Sequence, residues 1–163
     1  MNGNLLIPKT KLKVAIHKVS VKSIQNGAVT SRDWAPLHTD QQWAITKGKL
    51  PSIIMNNYTL NGLIIKHITD IYGSSSRIGK VSFKIKKPIC PGDSLEFHGT
   101  VIQKKKIDKT KSWVQIDLLI KANEGLSASA KIYVAVNETK NIEASPWKLS
   151  HSKWSSSLQL CQN

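Results

Sequence analysis

A single helical stretch governs what the rest of this chain can build. From Pro51 onward, Ile53, Ile54, Tyr58, Leu60, Leu63, Ile64, Ile68 and Ile71 recur mostly at three- and four-residue steps. That is the period of a helix with a broad apolar face. Asn56-Asn57 offers an N-cap and Tyr72-Gly73-Ser74-Ser75-Ser76 a stop. The spacing predicts about 16 residues of helix, ~24 Å long at the standard rise. Downstream the period changes to two. Val81-Ser82-Phe83-Lys84-Ile85 places Val81, Phe83 and Ile85 on one face of a strand, and Pro88 to Asp93 then breaks the chain. Ser94 to Ile102 reads as a second strand, Lys104 to Lys111 as a basic hairpin tip, and Trp113 to Ile120 as a third strand. After a turn at Asn123 to Gly125, Ala128 to Val136 makes the fourth. Strands that alternate this way have one face to bury, and only one long helix is present to bury it. The expected architecture is α+β, a long central helix wrapped by an antiparallel sheet. The open sheet edge favours pairing with a second subunit.

The flanks are less regular. Val14-Ala15-Ile16 and Val19-Ser20-Val21 read as an edge strand or strand pair, and Asn26-Gly27 as a turn. From Thr139 the chain is Ser-rich, carries Trp147 and Trp154, and shows no clear period. One domain over residues 1–140 with a tail over 141–163 is the expected organisation.

Composition narrows the class. The 163 residues hold 24 Lys+Arg against 10 Asp+Glu, a net charge of +14, with 40% hydrophobic residues, enough to argue against wholesale disorder. No run approaches the ~18 apolar residues a membrane span needs. The start, Met1 to Pro8, has neither the basic nor the apolar region of a signal peptide, so a cytoplasmic protein is expected. Two cysteines, Cys90 and Cys161, make no disulfide framework and no metal spacing, so no metal is expected. The charge fits a nucleic acid, an acidic membrane surface, an acidic protein or a phosphate-bearing small molecule. Lysines cluster at Lys9 to Lys22, Lys80 to Lys87 and Lys104 to Lys111, while Asp33 to Gln42 is net acidic. Nucleic acid is the weaker choice. There is no helix-turn-helix, no zinc spacing and no RNP-type aromatic set, and only Trp113 adjoins a lysine run.

The loop Ser31-Arg32-Asp33-Trp34-Ala35-Pro36-Leu37-His38-Thr39-Asp40 is where chemistry could reside. It sets a carboxylate and an imidazole with four residues between them, among apolar neighbours, upstream of the helix. Such a pair can share one water and hold it in a dry pocket, as general acid–base chemistry on water requires. On spacing alone, an Asp that caps a turn competes with this reading. His17, His67, His98 and His151 read as surface or strand histidines. Asp70 reads as a helix-end group, Cys90 as a small apolar filler, and Asp93 as turn chemistry.

These residues also carry a family resemblance. Asp33-Trp34-Ala35-Pro36-Leu37-His38-Thr39-Asp40 resembles the hydratase signature of MaoC-like acyl dehydratases, the (R)-specific enoyl-CoA hydratases of the hotdog fold. The resemblance continues through Leu50 to Asn57, His67-Ile68-Thr69-Asp70, Lys87 to Leu95 and Gly99-Thr100-Val101, covering about residues 10 to 138. Arg32-Asp33-Trp34 and Met55-Asn56 look most like the branch that includes actinobacterial steroid side-chain enoyl-CoA hydratases.

The resemblance implies a single hotdog unit in which Asp33 and His38 activate water for addition to a trans-2-enoyl thioester, giving a 3-hydroxyacyl thioester. It implies an oxyanion hole at the backbone N–H of Asn56, and substrate contacts from Trp34, Pro36, Met55 and Asn57. No cofactor is implied, since coenzyme A or an acyl-carrier protein enters as part of the substrate. A homodimer or a hetero-oligomer with another hotdog subunit is the implied assembly. Three positions depart from the family's usual residues: Arg32 and Asn56 each stand for a Gly, and Ala35 for an Asn. Two alternatives stand beside the enzyme: a non-catalytic hotdog subunit of a heteromeric hydratase, and a basic nucleic-acid-binding module.

Overall fold

In chain order the elements are β1 (Ala15–Lys18), α1 (Val21–Ser31), α2 (Gln41–Thr46), α3 (Asn57–Tyr72), β2 (Arg77–Ile85), β3 (Ser94–Lys106), β4 (Lys111–Ala122), β5 (Gly125–Asn137) and α4 (His151–Leu158). Short 3-10 turns lie at Gly3–Leu6, Pro36–His38, Ile142–Ala144 and Pro146–Lys148. The structure, a computed structural model, describes residues 3–123, 125–139 and 141–159. Cys161, one of the two cysteines weighed above, lies outside them.

The expected helix is α3. Asn56 caps it by accepting from the N–H of Thr59, and Gly73 closes its other end with φ 81°. Leu60, Ile64 and Ile68 are fully buried along one stripe. The sheet wraps that stripe in the order β1-β3-β4-β5-β2, every neighbour antiparallel. One row shows how the register serves the core. Ile116 lies opposite both Val101 and Ile132, and Ile132 lies opposite Val81. Three of those four side chains are fully buried. Each such aliphatic residue contributes about 1.5–3 kcal/mol by leaving water, so rows like this one fix both register and helix position.

Four expectations need correction. Val19-Ser20-Val21 is not a strand, and Asn26-Gly27 is not a turn: residues 21–31 form α1. Ser20 and Ser23 make a reciprocal capping box there, a role sequence rules assign to Glu or Gln at the second position. Gly27 lies inside the helix for a steric reason: a Cβ on it would fall 1.9 Å from Thr59 Oγ1 of α3. The glycine lets the two helices touch.

β3 does not stop at Ile102. A bulge between Val101 and Gln103 carries it on to Lys106, so residues 107–110 alone make the tip. Lys104 and Lys106 remain in the ladder because Glu138 pairs with both, at 3.0 and 2.8 Å. His67 is neither a surface nor a strand histidine. It is buried on α3 against Phe97, ring centroids 5.5 Å apart, with Nε2 unpartnered. Burial pushes it below its ordinary value, with Asp70 opposing.

The tail is also ordered. Trp154 of α4 packs on Trp113 at 5.0 Å, and Trp113 and Ala135 face away from the α3 side of their strands. The tail therefore builds a second, smaller core on the sheet's outer face. Among the described residues no helix is long and apolar enough to cross a membrane.

Candidate active site

The site forms where α1 ends and α3 begins. Ile24 and Ala28, one turn apart and fully buried, fix the inward face of α1. Ser31 turns its hydroxyl back onto the helix, donating to the carbonyl of Gly27 at 2.7 Å. Arg32 then takes the left-handed conformation, φ 55° and ψ 32°, and its exposed side chain stays in water. Glycine is the residue that usually occupies such a helix exit, which gives a physical reason for the family's Gly at this position. The N–H of Asp33 donates to the carbonyl of Ala28 at 2.9 Å, so the carboxylate leaves the helix end in a defined direction.

Pro36 starts the 3-10 turn that carries His38 back toward α3, with the His38 N–H donating to the carbonyl of Ala35 at 3.0 Å. The turn is tied to the strand-like segment entering α3: the Ile54 N–H donates to the carbonyl of Leu37 at 3.0 Å. On the same segment the carbonyl of Ile54 accepts from His38 Nδ1 at 2.7 Å. A carbonyl can only accept, so Nδ1 carries a proton and the neutral ring has its lone pair on Nε2. Nε2 faces Asp33 Oδ2 at 3.3 Å. Asp33 keeps 24% of its side-chain surface and His38 only 9%, so water reaches the pair from the carboxylate side.

Asn56 joins the group from the other direction. Its Nδ2 donates to Asp33 Oδ2 at 3.1 Å and to Ser31 Oγ at 2.8 Å. Its Oδ1 accepts from the N–H and the hydroxyl of Thr59. Three sequence-predicted residues, Asp33, His38 and Asn56, thus meet around one carboxylate oxygen. Ser31 and Thr59 were not anticipated. Their residue types are too common in turns and caps to signal anything before the two helices are brought together.

The other expected site residues are dispersed around this centre. Trp34 is 67% exposed, and Pro36 and Asn57 are also exposed. Met55 points into the main core. Asp93 accepts from the N–H of Cys90 at 2.8 Å, as a turn residue does. Among the described residues no group of three or more His, Cys, Asp or Glu could hold a metal ion. Some of the lysines are paired within the chain, by Glu138, Asp108, Asp70 and Glu143.

Such a constellation can polarise one water between a carboxylate and a neutral imidazole, next to the N–H donors of a helix start. Comparison with known proteins places it in a family. The model of the MaoC like domain matches residues 6–122. No curated protein matches the chain in sequence. Solved structures do match in fold. The ChsH1-ChsH2 complex from Mycobacterium tuberculosis superposes with a TM-score of 0.74 at 20% identity, over 80% of this chain and 98% of that one. The R-hydratase PhaJ1 from Pseudomonas aeruginosa gives 0.73 at 18%, over 82% and 84%. The (R)-hydratase from A. caviae involved in PHA biosynthesis gives 0.69 at 21%, over 79% and 96%. With its α3 wrapped by a five-stranded antiparallel sheet and the family model matched over most of its length, the chain belongs to the MaoC-like dehydratases and has their hotdog fold.

Proposed function

We propose that this protein is a hydratase/dehydratase that adds water to, or removes it from, a trans-2-enoyl thioester of coenzyme A or an acyl-carrier protein. One observation carries the reading: His38 Nε2 and Asp33 Oδ2 face each other at 3.3 Å while Nδ1 is committed to the carbonyl of Ile54. Two acceptors aimed at one another need a hydrogen donor that both share or a proton on the ring. A water that donates one O–H to each satisfies both, and leaves its own lone pair free to attack.

In the forward direction that oxygen bonds to C3 of the enoyl group as Asp33 takes a proton from it. The C2=C3 electron pair moves onto the thioester as an enolate, and C2 receives a proton from the Asp33–His38 pair. The product is the 3-hydroxyacyl thioester, and dehydration runs the same steps in reverse. First-turn N–H groups of a helix lack partners within it. The N–H of Asn56 and the positive end of α3 are the proposed stabilisers of the enolate oxygen. Trp34, Pro36 and Asn57, exposed around the pair, are proposed to contact the substrate, with Met55 shaping the floor.

The test is a panel of trans-2-enoyl-CoAs, from crotonyl to steroid-derived, followed by loss of conjugated absorbance, with a carrier-protein thioester alongside. Asp33→Asn should lose about 10²- to 10⁴-fold in kcat, the usual worth of a positioned acid–base group, and keep its fold. Full activity in Asp33→Asn overturns the assignment. A folded wild type inactive on every thioester favours the non-catalytic subunit. The same preparation should sediment as at least a dimer, because among the described residues β1 and β2 are the outer strands of the sheet, each with one edge open.

A further inference from the structure

The side chain of Asn56 has two N–H donors and an oxygen with two lone pairs, and all four are engaged. Oδ1 accepts from the Thr59 N–H at 2.9 Å and the Thr59 hydroxyl at 2.6 Å. Those two bonds cap α3, and Ser, Thr or Asp could supply such a cap equally well. The amide nitrogen is the part that capping does not need. It is aimed at Ser31 Oγ, 2.8 Å away, and at Asp33 Oδ2, 3.1 Å away. Its orientation is dictated from both ends. The Thr59 N–H can only donate, so the amide oxygen must face it. The Ser31 hydroxyl already donates to the carbonyl of Gly27 at 2.7 Å, so it offers Asn56 a lone pair.

We infer that the Asn56 side chain is a positioning group for the acid–base pair, its amide N–H holding Asp33 Oδ2 in place before His38. The inference rests on the hydratase reading and gives the Asn at this position a use of its own. Asp33 is faced by few charged or titratable groups. His38 comes from the 3-10 turn, the positive end of α3 lies beneath, and Arg32 on its own segment is exposed. Asn56 is neutral and donates, so Asp33 Oδ2 meets a hydrogen-bond donor there and no second acid.

Asn56→Asp separates positioning from capping. Aspartate caps as well as asparagine, so helix and fold persist, but an oxygen replaces the donor beside Asp33 Oδ2. Two carboxylates then share a site, and one of them is protonated at a higher pH than either would be alone. Catalysis needs the ionised base, so the acid limb of the pH–kcat profile should move up by about one pH unit or more. Asn56→Ser keeps a cap and removes the amide; kcat should fall on the order of 10²-fold with KM nearly unchanged, as for a misplaced reacting group.

A profile of Asn56→Asp that superposes on the wild type, or wild-type kcat in Asn56→Ser, overturns the inference. If Asn56→Asp does not fold, Asn56→Ser decides alone. If the wild type hydrates no thioester, it is the hydratase reading that fails. Carboxyl NMR titration of Asp33 then tests the positioning directly: a midpoint raised in Asn56→Asp supports it, and an unmoved one overturns it.

Discussion

Glu138 shows at the scale of one residue how the lysine-rich hairpin is held. Burial alone would raise its carboxyl. Hydrogen bonds from Lys106, Ser112 and Lys104 outweigh that and bring it from 4.5 down to about 2. A carboxylate depressed on folding adds stability that is present above its unfolded value and lost as pH falls through its folded one. The window here opens near 4.5 and closes near 2. Thermal melts of the wild type should therefore drop in midpoint across it, and Glu138→Gln should drop less. Asp108, also held at about 2, contributes a slope of the same sign. The quantity to measure is therefore the difference between the two proteins, and a difference that stays constant over the window refutes the account. Legibility at this scale follows chemistry. Asp33 and His38 are visible in the sequence as a carboxylate and an imidazole in an apolar loop, but that spacing is common by chance, and the family motif around it is what singles them out. His67 is misread in the sequence although its spacing could place it. It lies seven residues after Leu60 and three after Ile64, on the buried face, but a periodicity traced through aliphatic residues passes over it. The amide of Asn56 was not legible, since its partners lie 25 and 23 residues away and on another element.

The contact between α1 and α3 is the element-scale device that assembles the site. Replacing Gly27 by Ala in an ordinary helix interior would stabilise it by about 0.8–1 kcal/mol. Here the added Cβ would fall 1.9 Å from Thr59 Oγ1 and 3.0 Å from Thr59 Cβ, so something must move. Overpacking of this kind costs roughly 1–3 kcal/mol, which outweighs the propensity gain. Gly27→Ala should lower the urea midpoint, and should lower kcat as well because Thr59 holds Asn56. A variant as stable as the wild type and fully active would show that the helices do not meet as closely as described. The same glycine explains why α1 escaped prediction. Asn-Gly is a strong local turn signal, and only a neighbouring helix in tertiary contact overrides it. By contrast α3, β4 and β5 follow their periods closely, because each buries one face against the same core and no local signal competes. The end of β3 is misjudged because consecutive lysines look like a solvated tip until Glu138, the residue just after β5, meets two of them.

At the scale of the whole molecule, the sheet separates two cores with different duties. The larger lies between sheet and α3 and sets the geometry of Asp33, His38 and Asn56. The smaller lies on the outer face, where Trp113, Ala135 and Trp154 are buried with Ile107, Tyr133, Leu149 and Leu158 around them. Serines and lysines interrupt the apolar residues of the tail, so its period is too faint to read, and tryptophans supply most of the contact. Arg77, at the start of β2, stacks over the Trp154 ring at 3.7 Å and over the Trp147 ring at 4.9 Å, and Trp147 Nε1 donates to the carbonyl of Ser76 at 2.9 Å. The tail thereby pins the corner where α3 turns into the edge strand. The two tryptophans should contribute unequally. Trp154 is 8% exposed and Trp147 59%. Truncating a buried Trp costs about 3–5 kcal/mol. At ~2–4 °C per kcal/mol for a chain of this size, Trp154→Ala should lower Tm by roughly 6–12 °C even at the bottom of that range. Trp147→Ala, which mainly forfeits a hydrogen bond worth about 1 kcal/mol, should lower it by only a few degrees. Neither should change kcat below the melting range, because the acid–base pair belongs to the opposite face. Equal losses in the two variants, or a kcat that falls with Trp154→Ala while the protein remains folded, would show that the two cores are not independent.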